Sequence, residues 1–313
     1  MTLMSVTPED GPRPGKLAHL LGMIRFSHTL FALPFAILAG LMATVTPLDG
    51  GGSISVGWRQ WLGVLLCMVF ARSVAMAFNR LVDRQLDAAN PRTAGRHLPA
   101  GLLATGEVAA FVVVCGVGFV ASTLLFLPNR LPLFAAVPVL VWLCGYSLAK
   151  RFTVAAHLWL GVALALAPLC VWLALRGWVS PSDLTAPLIL SAAIAAWVTG
   201  FDIIYASQDA DFDAQAGLYS IPSRFGVAGG LRIAAGLHAV TVVLLAVLPL
   251  AAPEVGLGWP FGSAVILVAG LLFYEHALVS ADDLQRVNVA FFNVNSAISL
   301  ILLIAGGIDC YLF

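Results

Sequence analysis

Apolar residues run along the chain in long blocks, and the polar positions collect between the blocks rather than alternating with them. A helix that crosses a bilayer needs about 20 predominantly apolar residues. Blocks of that kind lie near 20–45, 60–79, 107–127, 131–149, 154–175, 186–205, 232–251, 260–279 and 289–308. They predict nine transmembrane helices, hence an all-α polytopic membrane protein. Pro34, Pro138 and Pro168 fall inside blocks, which a membrane tolerates because neighbouring helices re-satisfy the freed backbone groups. The connections after spans one, three, five and seven are short or plain, whereas those after spans two and six are long and charged. A polar tail, 1–16, precedes a single transmembrane domain, 17–313. The tail lacks the short apolar core of a cleavable leader, so the first span is expected to stay in the mature chain.

Composition sharpens this picture. Of 313 residues, 60% are hydrophobic and 10% charged, with a mean hydropathy of +0.96. A soluble domain is nearer half apolar and a quarter charged, and could not hide this much apolar surface. Disorder, collagen-like repeats and a small disulfide scaffold are excluded on the same grounds. Sixteen basic residues balance sixteen acidic ones, so no net charge points to nucleic acid. Cys67, Cys115, Cys144, Cys170 and Cys310 stand singly, without the spacing of a zinc site, and read as buried thiols. His28, His97, His157, His238 and His276 likewise show no ligand spacing and read as satisfied or exposed side chains.

Basic residues set the orientation. With the N-terminus cytoplasmic, that side receives Arg13, Lys16, Arg25, Arg80, Arg84, Arg92, Arg96, Lys150, Arg151, Arg224, Arg232 and Arg286; the other receives Arg59, Arg130 and Arg176. Twelve against three, with Arg72 inside span two, predicts N-terminus in and C-terminus out. Acidic residues cluster on the same side. Asp83 and Asp87 follow span two, and Asp202, Asp209, Asp211 and Asp213 surround the end of span six. The offset of 126 residues from Asp83 to Asp209 recurs from Asp87 to Asp213. A duplication of two four-span halves, roughly 17–150 and 151–280, followed by a last helix, accounts for it.

On a helix, Asn79, Asp83 and Asp87 form one polar stripe, with Arg72 two turns deeper on nearly the same face. If helical, Asp202, Tyr205, Asp209 and Asp213 share a face in the same way. Two facing carboxylate stripes at low dielectric repel unless cations lie between them. Mg²⁺ suits such oxygen ligands, taking one or two carboxylates plus substrate phosphates. The pattern thus predicts a Mg²⁺–diphosphate pocket in a helix bundle around a central cavity, open sideways to lipid and capped by cytoplasmic loops. Arg72, an ionisable group within a span, is a functional candidate suited to a diphosphate or to a carboxylate. Arg25, nearer the interface, reads equally as functional or as a snorkelling side chain. Glu275–His276 near the end of span eight has no assigned role.

The pattern NxxxDxxxD followed by NPRTAGRHLPAG, and DxxYxxxDxxxD followed by GLYSIPSRFG, resembles the UbiA superfamily of intramembrane aromatic prenyltransferases. The resemblance covers nearly the whole chain, including RFSHTLFALPFA in span one and the Tyr146–Lys150–Arg151 stretch after span four. One departure is Arg80, where many members carry Asp directly after the motif Asn. The resemblance implies that Asn79, Asp83, Asp87, Asp209 and Asp213 hold two Mg²⁺ ions and the diphosphate. It places Lys150 and Arg151 beside the diphosphate and gives Asp202 and Tyr205 catalytic roles in orienting the acceptor or taking its proton; Arg72, where members carry an Arg seven residues before the motif Asn, is the catalytic candidate that grips the diphosphate or the acceptor's carboxylate, and Arg25 is a candidate further diphosphate contact. It also implies the reaction: diphosphate leaves a polyprenyl diphosphate, and the allylic cation is attacked by an aromatic acid of the 4-hydroxybenzoate type, in respiratory quinone synthesis.

Two rival readings bear on substrate and class. FDIIYASQD…GLYSIPSRFG, together with Asn79–Arg80, also resembles a subgroup acting on 1,4-dihydroxy-6-naphthoate for menaquinone by the futalosine route. The apparent repeat and the intramembrane polar residues would also suit a secondary transporter. Transporters, however, place substrate near the midplane, and these carboxylates fall at the cytoplasmic ends of two spans. The expected partners are the two substrates and membrane lipid, with no nucleic acid and no obligate protein; the expected place is a bacterial cytoplasmic or inner membrane.

Overall fold

The computed structural model describes residues 15–24 and 31–312. The tail up to residue 14 and Arg25 lie outside the described residues. Within them all regular structure is helical: α1 (Lys16–Ile24), α2 (Leu33–Val45), α3 (Trp58–Ala89), α4 (Thr105–Thr123), α5 (Leu131–Ala149), α6 (Ala156–Arg176), α7 (Thr185–Ala206), α8 (Ala210–Gln215), α9 (Ile221–Ala251), α10 (Trp259–Ala277), α11 (Val287–Val289) and α12 (Asn295–Leu312). A π-helical turn, Ala290–Val294, joins the last two. Among the described residues, eight helices are long and apolar enough to cross a membrane, and the chain is an integral membrane protein. The span expected at 20–45 takes the form of α1 and the 13-residue α2, with residues 25–30 outside the described residues.

Successive long helices run back and forth, so their ends fall into two groups. One group gathers the ends of α3, α5 and α7 that carry the polar motifs. At the other, Arg176 closes a clasp between α2, α6 and α7. Its buried guanidinium donates to the carbonyls of Ala43, Thr46 and Pro47 and pairs with Asp183, whose carboxylate also accepts from Trp172 Nε1 at 2.8 Å. A basic residue on the sparse side of the charge count is therefore fully used in holding helices together.

Helix α7 is buried around most of its circumference, as expected of a helix that is apolar all round, and it packs mainly on α6 and α9. Phe35 and Met42 of α2, Trp172 of α6, Leu190, Trp197 and Phe201 of α7, Leu248 of α9, Phe261 of α10 and Ile298 of α12 form the main core around it. Lipid is as apolar as these side chains, so packing and small residues at the contacts hold such helices together. Gly161 is one of them. A Cβ there would meet Thr199 Oγ1 and come within 2.5 Å of the Ala195 carbonyl oxygen. Helix α9 starts at a Ser220–Ser223 capping box and breaks at Gly226, whose φ of 72° strains any residue with a Cβ.

Because backbone blocks the Cβ at Gly161, Gly161→Ala is expected to cost about 1–3 kcal/mol and to lower the melting midpoint of the purified protein. Gly116→Ala, on α4 with open space at the Cβ position, is the matched control and should leave the midpoint unchanged.

Candidate active site

The last turns of α3 carry the first motif. Asn79 Nδ2 donates to Asp83 Oδ2 at 2.8 Å, the contact expected of residues four apart on one face. Arg151, just past α5, donates to Asp83 Oδ1 at 2.9 Å, and Arg96, in the loop after α3, donates to Asp87 Oδ1 at 2.6 Å. Arg80 donates to Asn79 Oδ1 at 3.1 Å and lies 3.8 Å from Asp87. The second motif does not continue as one helix. The Ser207 hydroxyl donates back to the Ile203 carbonyl at 3.0 Å, a bond that competes with regular helix. The chain tightens to a 3₁₀ turn at Ser207–Asp209 and restarts as the short α8. Asp202 and Tyr205 therefore sit on α7, Asp209 ends the 3₁₀ turn and Asp213 belongs to α8.

Each aspartate of the second motif also has a partner from another element. Arg92 pairs with both Asp209 oxygens through Nε, at 2.7 Å, and Nη2; its Nη1 donates to the Tyr205 hydroxyl at 2.9 Å, with the guanidinium 5.2 Å from that ring. Asn90 adds a bond to Asp209 at 3.0 Å. Lys150 donates to Asp213 Oδ2 at 3.0 Å, while the Lys150 carbonyl accepts from the Tyr219 amide at 2.7 Å. His157 Nδ1 lies 2.7 Å from Asp202 Oδ2. Burial alone would draw the Arg92 guanidinium down, but its bonds to Asp209 and Tyr205 outweigh that and hold it above its ordinary range.

The residues of both motifs, with Arg92, Arg96, Lys150 and Arg151, line a polar cavity of about 270 Å³. An apolar cavity of about 310 Å³ adjoins it, and Met76, Tyr146 and Leu160 belong to both linings. Arg72 lines the apolar cavity one turn of α3 from Met76, and its buried Nε has no hydrogen-bond partner. The first and second motifs, Lys150 and Arg151 are thus brought together, with Arg72 set apart in apolar surroundings; Arg25 lies outside the described residues.

Among the described residues no three His, Cys, Asp or Glu side chains converge on a single point. The donors are instead hard carboxylate oxygens set around a cavity, and Asp87 Oδ2 is buried without a hydrogen-bond partner. Mg²⁺ takes one or two carboxylates and completes its shell with phosphate oxygens and water. The residues fit an ion that arrives with a diphosphate rather than one held in an all-protein cage.

Several residues in this network were not singled out by sequence. Arg92 and Arg96 enter the sequence reading only through the charge count that sets orientation, Asn90 carries no expectation, and His157 reads as satisfied or exposed. Asn90, Arg92 and Arg96 share one signal, lying within ten residues of the first motif in the loop that folds back over the site, whereas His157, on α6 and 45 residues from Asp202, has none. Glu275 belongs to a separate buried network, accepting from Asn295 Nδ2 at 2.9 Å, while Asn295 Oδ1 accepts from Trp197 Nε1 at 2.7 Å.

A layout of this kind suits a membrane enzyme whose substrate has an anionic head and a long apolar tail. The model of the UbiA prenyltransferase family matches residues 32–297, and the chain belongs to that family and is a transferase. A 4-hydroxybenzoate octaprenyltransferase of Cupriavidus metallidurans is 27% identical over 289 residues, covering 92% of this chain and 93% of the relative. Among solved structures, the apo form of a UbiA homolog from Aeropyrum pernix K1 matches with a TM-score of 0.77 and 30% identity, over 90% of this chain and 97% of that one. A UbiA homolog from Archaeoglobus fulgidus bound to GPP and Mg²⁺ has the same fold, with a TM-score of 0.70 and 20% identity over 92% and 98% of the two chains.

Since Arg92 and Arg96 hold the loop 90–104 onto Asp209 and Asp87, Arg92→Ala should free that loop from its anchor on Asp209. Hydrogen–deuterium exchange of the detergent-solubilised protein is expected to show faster exchange across 90–104 and unchanged exchange in α10.

Proposed function

We propose that this enzyme transfers a polyprenyl group from polyprenyl diphosphate to the ring of a hydroxyaryl carboxylic acid of the 4-hydroxybenzoate type, in respiratory quinone biosynthesis. One observation carries the reading: a polar cavity ringed by aspartates and basic side chains adjoins, through the shared residues Met76, Tyr146 and Leu160, an apolar cavity whose described lining holds a single cation, Arg72. The diphosphate belongs in the first, the first isoprene units in the second. The name of the Cupriavidus relative supports the acceptor class, and the Archaeoglobus structure supports a diphosphate with Mg²⁺.

In this reading Asn79, Asp83, Asp87, Asp209 and Asp213 hold Mg²⁺, which when bound with the diphosphate supplies Lewis-acid neutralisation of the leaving group. Lys150 and Arg151 stabilise the charge on the departing diphosphate, with Arg25 as a further contact. The allylic C–O bond breaks and its electron pair leaves with the diphosphate. A π-electron pair of the arene forms the new C–C bond, and the displaced ring proton passes to the Asp202 carboxylate, restoring aromaticity. Tyr205, fixed by Arg92, forms the wall against which the acceptor lies. Arg72 grips the acceptor's carboxylate, since a guanidinium matches its two oxygens. The apolar lining keeps water from the allylic cation. Twelve basic residues against three support an active site facing the cytoplasm of a bacterial inner membrane.

Membranes carrying the protein, given Mg²⁺, a prenyl diphosphate, 4-hydroxybenzoate and 1,4-dihydroxy-6-naphthoate, should yield prenylated hydroxybenzoate by mass spectrometry, and none with a chelator. Prenylated naphthoate instead would overturn the acceptor while keeping the chemistry. Intact diphosphate with no product would overturn the reading altogether.

Asp83→Ala should reduce turnover by about 100-fold or more, the scale of losing a group that serves the transition state. Arg72→Ala should raise KM for the aromatic acid by about 10- to 100-fold, the worth of a charge-assisted hydrogen bond, and leave KM for the prenyl diphosphate unchanged. Initial-rate kinetics with each substrate varied in turn measures both.

A further inference from the structure

His157 is fully buried at the start of α6 and, among the described residues, is the one side chain that bonds both to Asp202 and to the start of α9. The Ile221 backbone N–H points at its Nε2 at 3.2 Å. An amide N–H only donates, so Nε2 must present its lone pair and cannot carry a proton. The ring proton then lies on Nδ1, 2.7 Å from Asp202 Oδ2, and is donated to it. Both ring nitrogens are thus engaged by protein groups, and the buried ring is not itself part of the cavity lining. Asp202 is held by Oδ2 alone. Its Oδ1 has no hydrogen-bond donor among the described residues, and the side chain, 20% accessible, lines the polar cavity.

We infer that His157 is a positioning residue that fixes the Asp202 carboxylate by one oxygen and leaves the other aimed at the acceptor. The inference rests on the reading of Asp202 as the proton acceptor and adds the device that orients it. A carboxylate on a two-bond side chain rotates freely in a cavity of this size unless one oxygen is anchored, and a catalytic group needs a fixed direction to be effective. The same ring satisfies Ile221 N–H, one of the amides that a helix start leaves without an intrahelical partner. The orientation of Asp202 is thereby tied to where α9 begins.

The two bonds of the ring can be separated by substitution. His157→Asn keeps a donor near the Nδ1 position and loses the acceptor for Ile221; His157→Gln keeps a group near Nε2 and loses the donor to Asp202. The expected result is that His157→Gln lowers kcat by about 10- to 100-fold, with KM for the prenyl diphosphate and the melting midpoint near those of the parent. His157→Asn should keep kcat within a few-fold while melting earlier. In an Asp202→Ala background, His157→Gln should cause no further loss. Full activity of His157→Gln would overturn the inference, as would a His157→Gln loss that multiplies undiminished into the Asp202→Ala background. The reverse order, with His157→Asn the poorer enzyme, would mark a ring that serves only α9. Full activity of Asp202→Ala alone would instead overturn the role of Asp202.

Discussion

Four aspartates sit near the ends of membrane-length helices, where an ionised carboxylate without a partner is costly to keep. Their partners come from elsewhere in the chain. Asp83 is met by Arg151, Asp87 by Arg96, Asp209 by Arg92 and Asp213 by Lys150. The requirement to neutralise buried charge therefore decides the position of the loop 90–104 and of the junction between α5 and α6. Tyr219, bonded to the Lys150 carbonyl, brings in the segment before α9 as well. In the loop 90–104 these ion pairs act beside apolar contacts of Leu98 and Leu103 with Met23, Ile24 and Val108. The same charges that suit a diphosphate site thus shape the roof above it.

Most of the architecture was legible in the run of apolar residues. Spans near 60–79, 107–127, 131–149, 154–175, 186–205, 232–251 and 260–279 overlap helices α3 to α7, α9 and α10, because length and apolarity are properties of one segment. The stripe Asn79, Asp83, Asp87 was legible for the same reason: it needs only helical spacing. What sequence does not carry is pairing between segments. That Arg92 reaches Asp209 across 117 residues, or that His157 reaches Asp202 across 45, depends on how α6 and α7 pack. The irregular end of the second motif was hidden too, since the residues 202–213 fit helical spacing yet the chain tightens to a 3₁₀ turn at Ser207–Asp209.

Two parts of the molecule are built on different principles. Around α7, large side chains interlock: Trp197 lies edge-on to Phe35 and Phe201 with centroids 5.4 and 5.0 Å apart. Its indole N–H is satisfied by Asn295, itself bonded to Glu275. Such a polar thread through an apolar core is stable only when its members are mutually paired. On the other side of α6, the helices stand apart and enclose space. The rigid half holds Asp202, Tyr205 and Asp209 in place, and the open half gives a tail room to lie.

The apolar cavity is lined only by residues from Ala32 to Trp178, whereas the polar cavity also draws on Asp202 to Leu218. Both cavities draw on α3, α5 and α6, but the walls that would measure a tail include Phe119 and Thr123 of α4 and Leu131, Ala135 and Val139 of α5, turns that carry none of the groups around the diphosphate. Substitutions in α4 or in the outer turns of α5 can widen or shorten the space without moving an aspartate. A lineage can in this way exchange one isoprenoid for another as its membranes change, and leave the reaction untouched.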